Sequence, residues 1–170
     1  MISAAEYHLR YAVGDFERLQ SACAKDRSVV GRLSLAEALV EQGKVDEAFS
    51  SLPPATPEEE RALFLLAMAV ACRQNGQAAA AAQWQARAIE LLRQGNGNSV
   101  ALADALSRGT PPSRAEAEEM EASPQVKAII MAGLSQQYPQ ARVELASFAR
   151  ELNVYPVFPH HLVSRVTAAR

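Results

Sequence analysis

Three histidines, two cysteines and two short acidic runs are the residues of this sequence whose types could support chemistry. His160 and His161 are adjacent. Neighbouring side chains on a helix point about 100° apart, so this pair does not share a face as metal ligands spaced four apart do. His8 stands alone, and no cysteine or carboxylate sits at ligand spacing beside any of the three. No metal site is therefore expected, and the histidines read as solvent-exposed or capping groups. Cys23 and Cys72 each lie in a helical pattern among apolar neighbours, where a thiol packs as a small hydrophobe. A single disulfide between them is left open, but nothing resembles the framework of a secreted domain.

The acidic runs have a local explanation. Glu58-Glu59-Glu60 begins a helical segment, where the macrodipole favours negative charge, and Glu116-Ala117-Glu118-Glu119 reads as a solvated helix face. Gly95-Asn96-Gly97-Asn98 lacks the Lys-Ser/Thr of a phosphate loop and a strand before it. Ser107-Arg108-Gly109 is not a nucleophile elbow. The expectation is no catalytic residue, no cofactor and no enzyme. An enzyme with an unrecognised site among the C-terminal helices is the contrary reading; it would need a cleft holding several titratable groups of perturbed pKa.

Composition narrows the partners. The chain has 170 residues, enough for a single domain, and its 49% hydrophobic content is dominated by Ala and Leu, with 6% aromatics. Those residues lose little side-chain freedom in a helix, while strands favour β-branched and aromatic side chains. The formal charge is −2 and no block of Lys or Arg occurs, which argues against nucleic acid and against a membrane surface. The apolar run from Ala62 to Cys72 falls well short of the roughly 20 residues a membrane span needs. Met1-Ile2-Ser3-Ala4-Ala5-Glu6 lacks the charged and apolar regions of a signal peptide, so a soluble, cytoplasmic protein is expected.

The elements follow from punctuation. Thr56-Pro57-Glu58-Glu59 and Ser113-Arg114-Ala115-Glu116 have the form of capping boxes, and Ser123-Pro124 offers a cap followed by a first-turn proline. Gly14, Gly43 and Gly76 each follow one helical run and precede another, as glycines that close helices do. Pro53-Pro54, Gly95 to Asn98 and Gly109-Thr110-Pro111-Pro112 are breakers. The pattern predicts helices at about 3–13, 15–24, 27–42, 45–52, 57–75, 77–94, 98–108, 113–121, 124–137, 139–152 and 160–168, mostly antiparallel to their neighbours because the connections are short. The fold class is all-α.

Leu35-Ala36-Glu37-Ala38-Leu39-Val40-Glu41-Gln42-Gly43-Lys44-Val45-Asp46-Glu47-Ala48 resembles the core of a tetratricopeptide repeat, and the 33-residue spacing from Gly43 to Gly76 is close to that family's period of about 34. Ala36 and Ala48 allow two helices to approach closely, while Leu35 and Leu39 fill the seam. A second unit, from about 62 to 94, keeps Met68-Ala69, Cys72, Gly76, Ala81, Ala88 and Leu91 in matching places. A degenerate unit precedes them with Tyr7, Tyr11, Gly14-Asp15-Phe16 and Leu19, and a degenerate pair follows at about 124–152. Residues 95–123 and 153–170 fall outside the resemblance.

The resemblance implies a short right-handed superhelix of antiparallel helix pairs, with the first helix of each pair lining a concave groove. Family members commonly grip a peptide or helix there, and one class uses a clamp of basic and amide side chains on a C-terminal carboxylate. The places matching that clamp hold Leu33, Glu37, Leu66, Val70 and Arg73, of which one is basic. With Leu63 they form an expected apolar groove for a peptide or helix of a protein partner, on a chain that is a monomer or homodimer. A narrower reading is a bacterial secretion-type chaperone shielding an apolar segment of a secreted subunit. Leu63, Phe64, Leu65, Leu66, Met68, Val70 and Cys72 leave the helix at 57–75 with no polar side, so either the chain or a partner must cover it. The apolar, proline-broken segment after Leu152 is the chain's own candidate cover.

Overall fold

Four serines start helices in the same way. Ser3, Ser28, Ser113 and Ser123 hold extended backbone and accept the amide N–H three residues on, opening α1 (Ala4–Ala12), α3 (Val29–Glu41), α8 (Arg114–Glu119) and α9 (Pro124–Gln137). At Ser113 the capping box is complete, because Glu116 returns a bond from the Ser113 amide at 2.8 Å. Thr56 departs from its expected role. Its hydroxyl donates back to the Pro53 carbonyl at 2.7 Å, Pro57 takes the cap position without a side-chain bond, and α5 (Glu58–Gln74) begins one residue later. The expected capping box therefore does not form there: with Pro57 at the cap, Thr56 stands one residue before the position from which a side chain meets the first free amides of the helix.

Three glycines end helices alike. Gly14, Gly43 and Gly76 have φ of 74°, 76° and 75°, the left-handed region that a side chain penalises. After Gly43, the Gly43 amide bonds Val40 and the Lys44 amide bonds Leu39, both at 2.9 Å, which satisfies two carbonyls at the end of α3. The same double bond closes α1 and α5. The chain then doubles back into α2 (Phe16–Cys23), α4 (Val45–Ser51) and α6 (Ala78–Arg93). α5 packs along α6, α3 packs against both α2 and α4, and α1 rests on α2.

The computed structural model describes residues 3–95 and 97–168; among these it contains eleven α-helices, one short 3-10 turn at Pro139–Ala141 and no strand. The breaker at Asn96 lies outside the described residues, and α7 (Gly97–Ser107) starts directly after it and packs on α6. α9 and α10 (Arg142–Leu152) form the last hairpin, with Tyr138 at a φ of −119° where the earlier hairpins have glycine at positive φ. The chain then bends through a cis Phe158–Pro159 peptide into α11 (His160–Ala168). Among the described residues no helix is long and apolar enough to cross a membrane.

One apolar core runs through all of this, centred on α5. Phe64, Leu65, Leu66, Met68, Val70 and Cys72 are buried, with α3, α4, α6, α9 and α11 packed around their helix. Ala36, Ala38, Ala48, Ala81 and Ala88 are fully buried and keep the helices close. α9 approaches α5 at Gly133, where an added Cβ would stand 3.1 Å from Val70 Cγ2. The C-terminal carbonyls of α4, cut short by Pro53-Pro54, are met by side chains: Arg32 bonds Ser51 and Leu52 at 3.1 Å, and Arg61 bonds Pro53 and Pro54 at 2.9 Å.

Gly43→Ala and Gly76→Ala test the cost of losing a turn glycine. At Gly76 an added Cβ meets nothing within 4 Å, so only the left-handed backbone is penalised, by about 1–2 kcal/mol. At Gly43 the Cβ would also stand 2.7 Å from Asn75 Nδ2. Asn75 is exposed and its amide can swing aside, so the added cost at Gly43 is small; urea unfolding should place both variants below the parent, and a parent-like midpoint for Gly76→Ala would contradict the left-handed turn.

Candidate partner-binding groove

All six side chains expected to meet a partner lie on α3 and α5, the first helices of two successive hairpins, and the structure divides them. Leu66 and Val70 are 4% and 2% exposed. Leu66 borders a cleft of about 320 Å³ with Ala62, Leu92, Leu102 and Val126, and Val70 lies under Gly133. α9 thus covers Val70 within the chain, and Leu66 lies at the base of a cleft shared by α6, α7 and α9. Arg73 turns toward α6 and the end of α9: its guanidinium donates to Gln85 and to the Gln137 side-chain oxygen, the latter at 2.9 Å. It borders a cleft of about 480 Å³ with Ser135, Gln136, Gln137 and Arg142. Burial lowers the pKa of its guanidinium. Leu33, Glu37 and Leu63 remain half-buried, packed beside the core with part of their surface open.

The rest of the wall is occupied by the C-terminal segment. Phe158 stacks on Phe64 of α5 with ring centroids 4.8 Å apart. Leu162 and Val163 are fully buried, and α11 packs on α5, α9 and α10. His161 Nε2 lies 2.7 Å from the Tyr11 carbonyl at the end of α1, and its ring meets Tyr11 and Phe16 edge-on. Arg165 donates to the Glu41 carbonyl at 2.7 Å and faces its carboxylate at 3.4 Å. A nine-residue helix is too short to persist alone in water, so α11 exists because it is docked. Phe158, Leu162, Val163 and Val166 contribute about 1.5–3 kcal/mol each by burial, more than the half-exposed Arg165 pair adds.

Tyrosines and glutamates join α1 to α3 beneath that segment. Tyr7 donates to Glu37, and Tyr11 donates to Glu41 at 2.5 Å. Glu41 is 3% exposed. Burial pushes its carboxyl up to about 6, against the opposing pull of the Tyr11 hydroxyl and of Arg165. Glu37 is pushed up to about 7, first by burial, with the Tyr7 hydroxyl opposing and the charges of Glu60 and Glu41 adding to the rise. Both tyrosine hydroxyls are raised, first by burial and then by the glutamates they bond. Burial lowers His161.

The sequence reading placed Glu37 on this surface but missed Tyr7, Tyr11, Glu41, His161 and Arg165 as members of one network. The available signal was that the tyrosines and the glutamates repeat at the same four-residue interval on two helices. His8 is exposed, while His160 Nδ1 is buried with no hydrogen-bond partner among the described residues. Cys23 and Cys72 are free, buried thiols. Among the described residues no group of three or more His, Cys, Asp or Glu is placed to hold a metal ion. Compared with known proteins, the chain matches no family profile, no curated protein and no solved structure.

The carboxyls give the network a pH signature. Both lie above their ordinary value of 4.5 in the folded chain, so their stabilisation is complete below that pH and is lost as pH rises through about 6 for Glu41 and about 7 for Glu37. His161, lowered from 6.5, acts in the opposite sense and loses stability as pH falls. Comparison with a Glu37→Gln/Glu41→Gln variant isolates the carboxyls. Relative to it, the parent chain should lose stability between about pH 5 and pH 8 in urea titrations; a difference independent of pH would show that neither carboxyl is shifted.

Proposed function

We propose that this chain is a non-catalytic protein-interaction module that holds a peptide or helix of a protein partner against the wall formed by α1, α3 and α5. The observation that carries this reading is the C-terminal segment: Phe158 stacks on Phe64 of α5, and α11, which also packs on α9 and α10, reaches the ends of α1 and α3 through His161 and Arg165. A surface that orders a nine-residue helix of its own has the shape and chemistry of a helix-in-groove site. The resemblance of the hairpins to tetratricopeptide units points the same way, since such arrays present their first helices to ligands. Leu33, Glu37 and Leu63 are the part of the wall with surface left for another segment.

The secretion-chaperone reading drew on the apolar circumference of α5, but that helix spends its apolar sides on α3, α4, α6, α9 and α11 of the same chain. A general interaction role is therefore favoured over shielding of a long unfolded segment.

A photo-crosslinking amino acid placed at Leu33 or Leu63 in cells should yield a discrete protein adduct that is missing when the same group replaces Val143, an exposed residue of α10. Leu63→Arg should remove the adduct formed from position 33 while circular dichroism retains the parent helicity. Leu66→Asp, by contrast, should unfold the chain, because it buries a carboxylate among α6, α7 and α9 at a cost of several kcal/mol. Adducts that are the same from Leu33, Leu63 and Val143 would refute the reading.

A further inference from the structure

The contact between α1 and α3 carries the same device twice. In each case a tyrosine of α1 donates to a glutamate 30 residues later, and the two pairs lie one helical turn apart. They differ in what completes them. The Glu41 carboxylate is met by the Arg165 guanidinium at 3.4 Å, and Arg165 also bonds the Glu41 carbonyl. Glu37 bonds the Tyr7 hydroxyl and has no cation beside it among the described residues; the carboxylates that act on it are those of Glu60 and Glu41. An acid enclosed on several sides and repelled by two others is held at a cost that an incoming positive charge would offset.

The surroundings indicate what would bring that charge. Leu33 lies one turn before Glu37 on α3, and Leu63 lies three residues after Glu60 on the adjoining α5. Both leucines are half-buried with surface to spare, so apolar surface is offered on α3 and α5 beside the acid as well as the neighbouring carboxylates. The chain's own occupant of the neighbouring turn combines the matching features: buried Leu162 and Val163 with Arg165 two residues further on.

Resting on the groove reading above, we infer that the Tyr7–Glu37 pair is the docking point for an arginine or lysine of a partner segment whose neighbouring residues are apolar, held as Arg165 is held by Glu41 one turn along α3. The apolar neighbours rest on Leu33 and Leu63, and the basic side chain sets the register.

A random peptide library displayed on phage and panned on the full chain tests this. The expected outcome is enrichment of peptides with one Arg or Lys flanked by apolar residues. Their synthetic forms should bind the Glu37→Gln chain about tenfold more weakly, the loss of one charge-assisted contact. Replacing the basic residue by norleucine should cause a similar loss, and combining both changes should cost little more than either alone. Circular dichroism and thermal unfolding establish that Glu37→Gln remains folded. Enrichment of purely apolar peptides that are sensitive to Leu63→Arg would overturn the inference and leave the groove reading standing. Peptides weakened by Glu41→Gln but not by Glu37→Gln would also overturn it, by placing them in the seat of the tail. Absence of any Leu63-dependent peptide would remove both.

Discussion

α5 has no polar side to offer to water. Across its length Phe64, Leu65, Leu66, Met68, Val70 and Cys72 point in all directions and are all buried. A helix of this kind is stable only when the chain supplies cover around its whole circumference. A single hairpin partner, α6, covers one side; α3 and α4 take a second, α9 a third, and α11 with Phe158 most of what remains, leaving part of Leu63 open. The order of the fold follows from that demand. Two hairpins precede α5, one helix pairs with it, and the last third of the chain returns to finish the enclosure. This return explains why residues outside the repeat-like pattern are nonetheless core residues, among them Leu162 and Val163.

The hairpins themselves were legible in the sequence because their determinants are local. Gly14, Gly43 and Gly76 mark left-handed turns that few other residues adopt, and each turn is closed by bonds within a few residues. Serine caps and Pro53-Pro54 fix boundaries by the same short-range logic, so helix limits followed from residue type. Thr56 shows where that logic fails. Its hydroxyl had two acceptable uses, and the Pro53 turn, held in place by Arg61, decided between them. A choice between a cap and a turn depends on the geometry of the preceding loop, which a capping-box pattern does not encode.

The candidate site was less legible, for a physical reason. Leu33, Glu37 and Leu63 could be placed on an inner face from helical position alone. What fills and tunes that face comes from contacts separated by 30, 124 and 150 residues in sequence. No periodicity predicts that Arg165 meets Glu41 or that His161 meets the end of α1. The same holds for Leu66 and Val70: their positions match groove-lining places of a repeat array, but α6, α7 and α9 had to be placed before it was evident that they are already covered.

The two tyrosine–glutamate pairs also divide the work that this surface can do. Ion pairs with part of their surface in water yield little net free energy, whereas a buried apolar side chain yields a few kcal/mol. On the seat of the tail, accordingly, Phe158, Leu162 and Val163 supply the holding energy, and Arg165 and His161 fix position against α3 and α1. A partner at the adjacent turn meets a smaller apolar area, Leu33 and Leu63, together with a glutamate that no cation among the described residues neutralises. Its affinity must then depend more on charge than the tail's does. A wholly apolar segment gains the leucines but leaves Glu37 enclosed without a counter-charge, and the unpaired acid thereby discriminates against it.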